Sequence, residues 1–517
     1  MDSNKIFCLI PAGFPLLTMM TLVPLTASVV CLYASSSTAV LRASYAAVLM
    51  NVLLGFYLLW VFDSARPGAQ LVEQVRFAGV SYCVGVDGAN ILFIPLTALL
   101  ALLTLVYSVI ARPVLDRILM AGILTYEAIL IGAFTALNLL QFWLWSLLEL
   151  VSVLLLTLHA GSEQNKWSAI VPLLQYWGSG LLMTLTAFML LAFGLIDSEH
   201  PLTFDWQTLK QNNAYLHDEV LIFILLFFGF AIRLPLFPFH GWLPELAEQR
   251  KVVSAVVFLV GLKLGLYAMI RFILPLVPGV AEHWAGFVIT LSLIGIIYGG
   301  IQVLVQINLL RLLAFVAISH SGLLMIGLFS FNEHGLEGSL LLSITYGLAT
   351  AGMLFSVGMI YWRTRTVFIP RLGGLLDNNS MLTVLFPVSV LTTMVIPGMP
   401  GFEVAKRLFE GVVQELGWWI AITLLSGHVL SMVGLLKAFR QVFVSALKRD
   451  RKANRNSEPS TALERLIALV IGALLIGCGF YSTLWLDLIE QEMIAIRQHY
   501  PMHGELQFDN PSLESWP

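Results

Sequence analysis

The chain has 517 residues, of which 58% are hydrophobic and 11% charged. With a mean hydropathy of +0.86, against about 25% charged residues in a soluble domain, the composition excludes a soluble globular enzyme and implies a polytopic membrane protein. A formal net charge of -3, with the charges segregated by loop, excludes a nucleic-acid-binding face.

Roughly 20 apolar residues are needed per crossing, and on that scale the chain predicts about 14 helices. They fall at 6–33, 40–62, 89–111, 117–137, 140–158, 168–195, 219–246, 252–276, 284–306, 309–329, 338–362, 380–411, 418–446 and 462–486. The first of these is too long for a signal h-region and lacks a clear cleavage site, so it reads as a retained helix. Polar excursions lie at 63–88, 196–218 and 447–461. No segment is large enough for a soluble catalytic domain. The short loops of one side collect Arg112, Arg117, Lys166, Arg250, Lys251, Arg363, Arg365 and Arg371, then Lys448, Arg449, Arg451, Lys452 and Arg455. The positive-inside rule therefore predicts both termini outside, with the tail after Leu486 outside or against a partner.

Cys8, Cys31, Cys83 and Cys478 are scattered in or beside apolar segments, without the spacing that holds zinc, iron–sulfur or haem. The sequence therefore predicts no cofactor and no metal.

The most informative stretch runs from Asp218 to Arg271. It is apolar enough for two crossings, yet it carries Arg233, His240, Glu245, Glu248 and Lys263. Ionisable groups in hydrocarbon are costly and mark ion paths by default. Pro235, Pro238 and Pro244 remove helix donors, which predicts a broken helix beside a charged, hydrated path. A second interrupted segment at Val395–Phe409 combines Pro397, Gly398, Pro400 and Gly401 with Glu403, Lys406 and Arg407. Two interrupted helices in corresponding places suggest inverted repeats at about 117–276 and 284–446, preceded by three helices in 1–116 and followed by a basic loop, a last helix and a tail in 447–517.

Glu127 and Glu149 lack a charge partner within their own helices, and Arg233 and Lys263 are the available cations. A structural ion pair stays an equal alternative to a functional one. A desolvated lysine can release its proton, whereas a guanidinium keeps it. Lys263 is thus the expected proton carrier and Arg233 a fixed field. His240 and His320 are candidate titrating groups, although a satisfied structural ring is the commoner role. With Glu403 and Lys406 these residues form the expected proton path.

GVDGANILFIPLTALL (85–100), YEAILIGAFTALNLLQF (126–142), AIRLPLFPFHGWLP (231–244), GLKLGLYAMIRF (261–272), RLLAFVAISHSGLLMIG (311–327) and IPGMPGF (396–402) resemble the antiporter-like subunits of respiratory complex I and Mrp antiporters. The match is closest to the M-type subunit. The resemblance implies an all-α membrane fold of 14 helices in two inverted five-helix repeats with helices 7 and 12 broken. It also implies proton translocation as a subunit of a larger membrane complex in a bacterial-type inner membrane, with a possible soluble coupling subunit and no redox site of its own. Glu127, His240, Lys263 and His320 fall on the family's own positions. The family's helix-5 glutamate aligns to Leu147, two residues from Glu149, its helix-7 lysine to Arg233, a lysine before the SxSH segment to Leu310 with Asn308 at the nearby acidic position, and its helix-12 charge to Ala405. QRKVV stands where APT is usual. Such departures fit a respiratory pump, an Mrp-type cation/proton antiporter, or a proton-coupling subunit of an inorganic-carbon accumulation complex with a zinc partner resembling carbonic anhydrase. A non-conducting structural subunit is the remaining alternative.

Overall fold

The protein was analysed as a computed structural model that describes residues 15–77, 80–111, 115–160, 166–194, 202–212, 218–249, 261–375, 382–397, 399–445, 461–480 and 482–500. The basic run Lys448 to Arg455 lies outside the described residues.

The helices follow in order α1 (Leu16–Tyr33), α2 (Ser37–Val61), α3 (Phe93–Ala111), α4 (Arg117–Thr135), α5 (Leu139–Ala160), α6 (Lys166–Gly194), α7 (Trp206–Gln211), α8 (Glu219–Arg233) and α9 (Trp242–Gln249). Next come α10 (Lys263–Ala268), continued by a π turn at Met269–Ile273, then α11 (Pro278–His283), α12 (Ala285–Val305), α13 (Leu309–Leu328) and α14 (Glu333–Thr364). The last are α15 (Leu382–Thr393), α16 (Pro400–Leu416), α17 (Trp418–Phe439), α18 (Ala462–Phe480), α19 (Ser482–Asp487) and α20 (Glu490–Arg497).

Ten helical spans among the described residues are long and apolar enough to cross a membrane. The other expected crossings fall on divided, shorter or partly described helices, so helix length alone does not establish the count of fourteen. Helices at the periphery keep apolar residues exposed at helical spacing, such as Leu144, Leu148, Val151 and Leu155 on α5, and Ile422, Leu425, Val429 and Val433 on α17. Such stripes suit lipid, while α13 and α14 are nearly all buried and form the centre. Side chains complete the helix starts. Asp116 accepts from Leu119 N, Asn308 from Leu310 N and Asn332 from Gly335 N, satisfying amide donors that have no partner within the helix.

The 63–88 excursion is more than a loop. It contains an antiparallel hairpin of β1 (Gln70–Phe77) and β2 (Val80–Val86), which among the described residues is the one paired-strand element that an all-helical expectation omits. Alternation in QLVEQVRF and VSYCVGV suits a strand with one covered face. Glu73 turns inward and accepts from Leu17 N at 2.7 Å and Thr18 N at 3.0 Å, capping α1. Cys83 O accepts from Leu137 N, and Leu137 O accepts from Trp206 N, so the hairpin, the α4–α5 turn and α7 share one end of the bundle. At the opposite end Arg117 donates to Ala34 O and Ser35 O, and Arg363 pairs with Glu464.

The C-terminal segment folds back over the hairpin end. Glu492 accepts from Gly68 N at 2.7 Å, Tyr500 Oη donates to Leu274 O at 2.8 Å, and the Tyr500 ring stacks on Phe331 at 4.3 Å. Burial, with the carboxylate of Asp87 adding to it, raises the Glu492 carboxyl to about 7, against the opposing pull of Arg271, Gly68 N–H and Lys210. A raised value favours the neutral acid in the docked state, so docking is strongest below the free carboxyl value and is lost as pH climbs through about 7. Amides of α20 are therefore expected to exchange more slowly at pH 5.5 than at pH 8, after correction for intrinsic rates, and Glu492→Gln is expected to remove the difference. Exchange that does not change with pH in the unaltered chain contradicts this assignment.

Candidate functional site

Helix α8 stops at Arg233 inside the bundle because Pro235 and Pro238 cannot donate to its last carbonyls. Those carbonyls are rescued locally. Ala231 O accepts from Leu236 N at 2.9 Å, and Ile232 O accepts from the Trp242 indole N–H at 2.9 Å. The break thereby sets Arg233 in the interior, where its guanidinium pairs with Glu149 of α5 and lies 5.3 Å from the Trp177 ring centre. Glu149 has no exposed surface, and its second oxygen accepts from Tyr126 Oη at 2.7 Å. Leu147, the gapless match to the family glutamate, is half-buried. The acid that meets the cation is the residue two positions on.

Gly261, two residues before Lys263, lies against this pair. A methyl group added there would overlap both Tyr126 Oη and Glu149 Oε1. Lys263 itself is only partly exposed and runs alongside α14, where a methyl at Gly347 would sit 3.7 Å from its Cε. The next residue, Tyr346, stacks on His320 of α13 with ring centres 3.8 Å apart at 13°. Tyr346 Oη and Ser343 Oγ are buried without a hydrogen-bond partner among the described residues. Two glycines thus bring the chain leading into Lys263 against Glu149, and Lys263 against the turn of α14 that carries Tyr346.

These groups all lie well inside their helices. At 1.5 Å per residue, Arg233 lies about 21 Å, Glu149 about 15 Å, His320 about 12 Å and Tyr346 about 20 Å from the hairpin-end termini of their helices. In a hydrocarbon core about 30 Å thick they sit near its middle.

The remaining expected residues lie elsewhere. Glu127 turns to the N-terminal helices and accepts from Asn51 Nδ2 at 2.9 Å; it is one residue from Tyr126, hence about 100° around α4. His240 is buried against the rings of Phe237 and Tyr298, with centres at 5.7 and 5.0 Å. On the second broken helix the inward position is Ala405, fully buried, while Glu403 and Lys406 are exposed. Lys406 keeps 56% of its side chain exposed and pairs with Glu410 at 3.8 Å. Glu245 and Glu248 form a half-exposed network with Arg311 at 3.0 and 2.9 Å.

The family model described as NADH:quinone oxidoreductase/Mrp antiporter, transmembrane, matches residues 136–431. NADH-quinone oxidoreductase subunit M of Rhodobacter capsulatus is 30% identical over 512 residues, covering 95% of this chain and 98% of that protein. The chain belongs to this family. NAD(P)H-quinone oxidoreductase chain 4-3 of a Nostoc species is 29% identical over 542 residues, covering 97% and 95%. In fold, the chain matches one in respiratory complex I from Thermus thermophilus with a TM-score of 0.83 at 23% identity, covering 94% and 100%. It matches one in the Mrp complex from Dietzia sp. DQ12-45-1b at 0.83 and 18% identity, covering 93% and 97%.

One buried pair escaped the sequence reading. Arg271, on the π turn after α10, meets Asp87 of the hairpin at 2.5 Å, with 2% and 0% of the side chains exposed. Arg271 Nε donates to Tyr267 Oη at 3.1 Å, and Trp206 Nε1 donates to Arg271 O at 2.8 Å. The available signal was the aspartate of GVDGAN, a charge at the mouth of an apolar run. Removing one partner of such a pair typically costs about 3–5 kcal/mol because the other is left buried and uncompensated. Asp87→Ala is expected to lower the thermal unfolding midpoint in detergent, with partial recovery in Asp87→Ala/Arg271→Met. An unaltered midpoint for Asp87→Ala rules the clamp out.

Proposed function

We propose that the chain is a proton-translocating, antiporter-like membrane subunit, similar to NADH-quinone oxidoreductase chain M, of a multi-subunit energy-converting complex. The observation that carries the reading is the mid-depth row Glu149–Arg233, Lys263 and Tyr346–His320. Isolated charges in hydrocarbon are removed by selection unless a partner or water stabilises them, and this row crosses from the first half of the chain into the second. Each group has a distinct capacity. Lys263 can alternate between ammonium and amine, Glu149 can accept a proton only when its partner is pulled away, and Arg233 remains charged and supplies a standing positive field. The first station is therefore an electrostatic bias and Lys263 the first proton carrier. Glu127 and His240 flank the row.

The halves 117–276 and 284–446 are taken as the two inverted units, each with an interrupted helix, α8/α9 and α15/α16. In a bacterial-type inner membrane the end with Arg117 and Arg363 faces the cytoplasm and the hairpin end faces outward, following the positive-inside rule.

A partner surface goes with this reading. On α16, Glu403, Lys406, Glu410 and Gln414 form an exposed polar stripe at helical spacing. Counting back from Leu416, Lys406 lies about 15 Å and Glu403 about 20 Å below the helix end. Lipid cannot solvate this stripe, which suits the polar face of a neighbouring membrane subunit. Lys406→Cys in the assembled complex is expected to crosslink to a membrane subunit and to resist water-soluble maleimide. Ready maleimide labelling without crosslinks contradicts the surface.

For the function itself, Lys263→Ala in the purified complex reconstituted into vesicles is expected to lower proton flux at least about tenfold, the scale of a lost proton-transfer group, with the subunit still assembled. Unchanged flux and unchanged activity of the complex would favour a purely structural subunit. The Mrp-type and inorganic-carbon alternatives share this axis and differ in the chains that accompany it, so naming the co-purified subunits separates them, a zinc-binding soluble chain marking the latter.

A further inference from the structure

At mid-depth the broken helix of the second half carries no interior charge: Ala405 holds the inward position and Lys406 the outward one, while Arg407 pairs with the buried Glu337 at 2.7 Å, about 6 Å from the hairpin-end start of α14. A different residue occupies the interior nearby. His428 lies on α17, about 15 Å from the Trp418 end, with 1% of its surface exposed. Its ring centre is 6.0 Å from that of His320, and neither of its nitrogens has a hydrogen-bond partner among the described residues. A buried imidazole kept only for packing would have at least one nitrogen satisfied, as most buried polar atoms do.

The surroundings are polar and close-packed at once. Ser431, one turn on from His428, donates to Ser319 Oγ at 2.9 Å, and Ser319 donates to Ile296 O at 3.3 Å. The glycines beside this bond, Gly299 and Gly300 on α12 and Gly427 on α17, leave no room for a methyl group. The titratable groups beside it are His320 of α13 and Tyr346, stacked on His320 from α14, with Lys263 beyond them against Gly347; on α16, Glu403, Lys406 and Glu410 lie on the exposed side and Arg407 is engaged by Glu337. One water molecule with hydrogen bonds of about 2.8 Å on either side spans about 5.6 Å, and rings whose centres are 6.0 Å apart are near enough for such a bridge.

We propose that His428 is a proton-carrying residue, the station in the second half that replaces the missing charge of the broken helix. The inference rests on the proton-conducting reading above. When Lys263 gives up a proton, its ammonium becomes an amine; the proton passes by way of His320 and water to His428, whose imidazole becomes imidazolium, so charge and protons balance at each transfer. His428 then releases the proton along the α12–α17 seam lined by Ser319 and Ser431.

The experiment uses the intact complex in vesicles, with proton flux driven by a potassium diffusion potential and followed by an internal pH dye. Three variants are compared: His428→Gln, His428→Ala and Lys263→Ala. Both His428 variants are expected to assemble and to lose flux at least about tenfold, as for removal of a general acid–base group. Added imidazole is expected to restore flux in His428→Ala and not in Lys263→Ala, a rescue that a packing role would not produce. Wild-type flux in both His428 variants, beside loss in Lys263→Ala, overturns the station and leaves the conducting reading intact. Wild-type flux in all three overturns the reading itself. Failure of both His428 variants to assemble, or loss of flux without imidazole rescue, assigns His428 to packing and overturns the proposal.

Discussion

The structure depends on the cost of holding ionised side chains away from water. A carboxylate or guanidinium alone in a low-dielectric interior loses far more hydration than packing returns, so each buried charge dictates what lies beside it. Arg233 requires Glu149, and Glu149 is further held by the Tyr126 hydroxyl. Arg271 requires Asp87, and the backbone of that arginine is in turn held by Trp206. These two pairs tie α5 to α8 and the hairpin to the π turn after α10. The apolar helices between them have no such positional demand and can be largely interchangeable Leu, Ile, Val and Phe.

A second constraint comes from glycine. Gly261 and Gly347 lie where the interior groups must approach backbone closely, against Glu149 and Lys263 respectively. A β-carbon at Gly261 would overlap Tyr126 and Glu149, and one at Gly347 would enter van der Waals contact with Lys263. The row of polar groups is thus laid out as much by absent side chains as by present ones. That arrangement also explains how the chain gathers ionisable groups from five helices in its interior.

Much of this was legible in the sequence. Long apolar runs, the prolines after Arg233, and Lys263 within GLKLGLY sufficed to find the interrupted helix and an interior lysine, since both follow from local chemistry. What could not be read was rotation. Whether Glu149 or Leu147 meets Arg233, and whether Lys406 or Ala405 faces inward, depends on how each helix turns against its neighbours, and one residue in a helix is about 100°. His428 was overlooked for a related reason. A solitary histidine in LLSGHVLSM is ambiguous until the helix carrying His320 is placed beside it. Asp87 was not singled out, although a carboxylate at the edge of an apolar run needs a cation from somewhere.

The indole of Trp242 has a consequence for how the interrupted helix behaves. By holding Ile232 O, while Leu236 N holds Ala231 O, it pins the segment after the break to the segment before it. The interruption is an elbow in which the carbonyls of Ala231 and Ile232 are already engaged. The elbow thus meets its own polar demand with groups a few residues away, and these two carbonyls need no help from lipid or from elsewhere in the bundle.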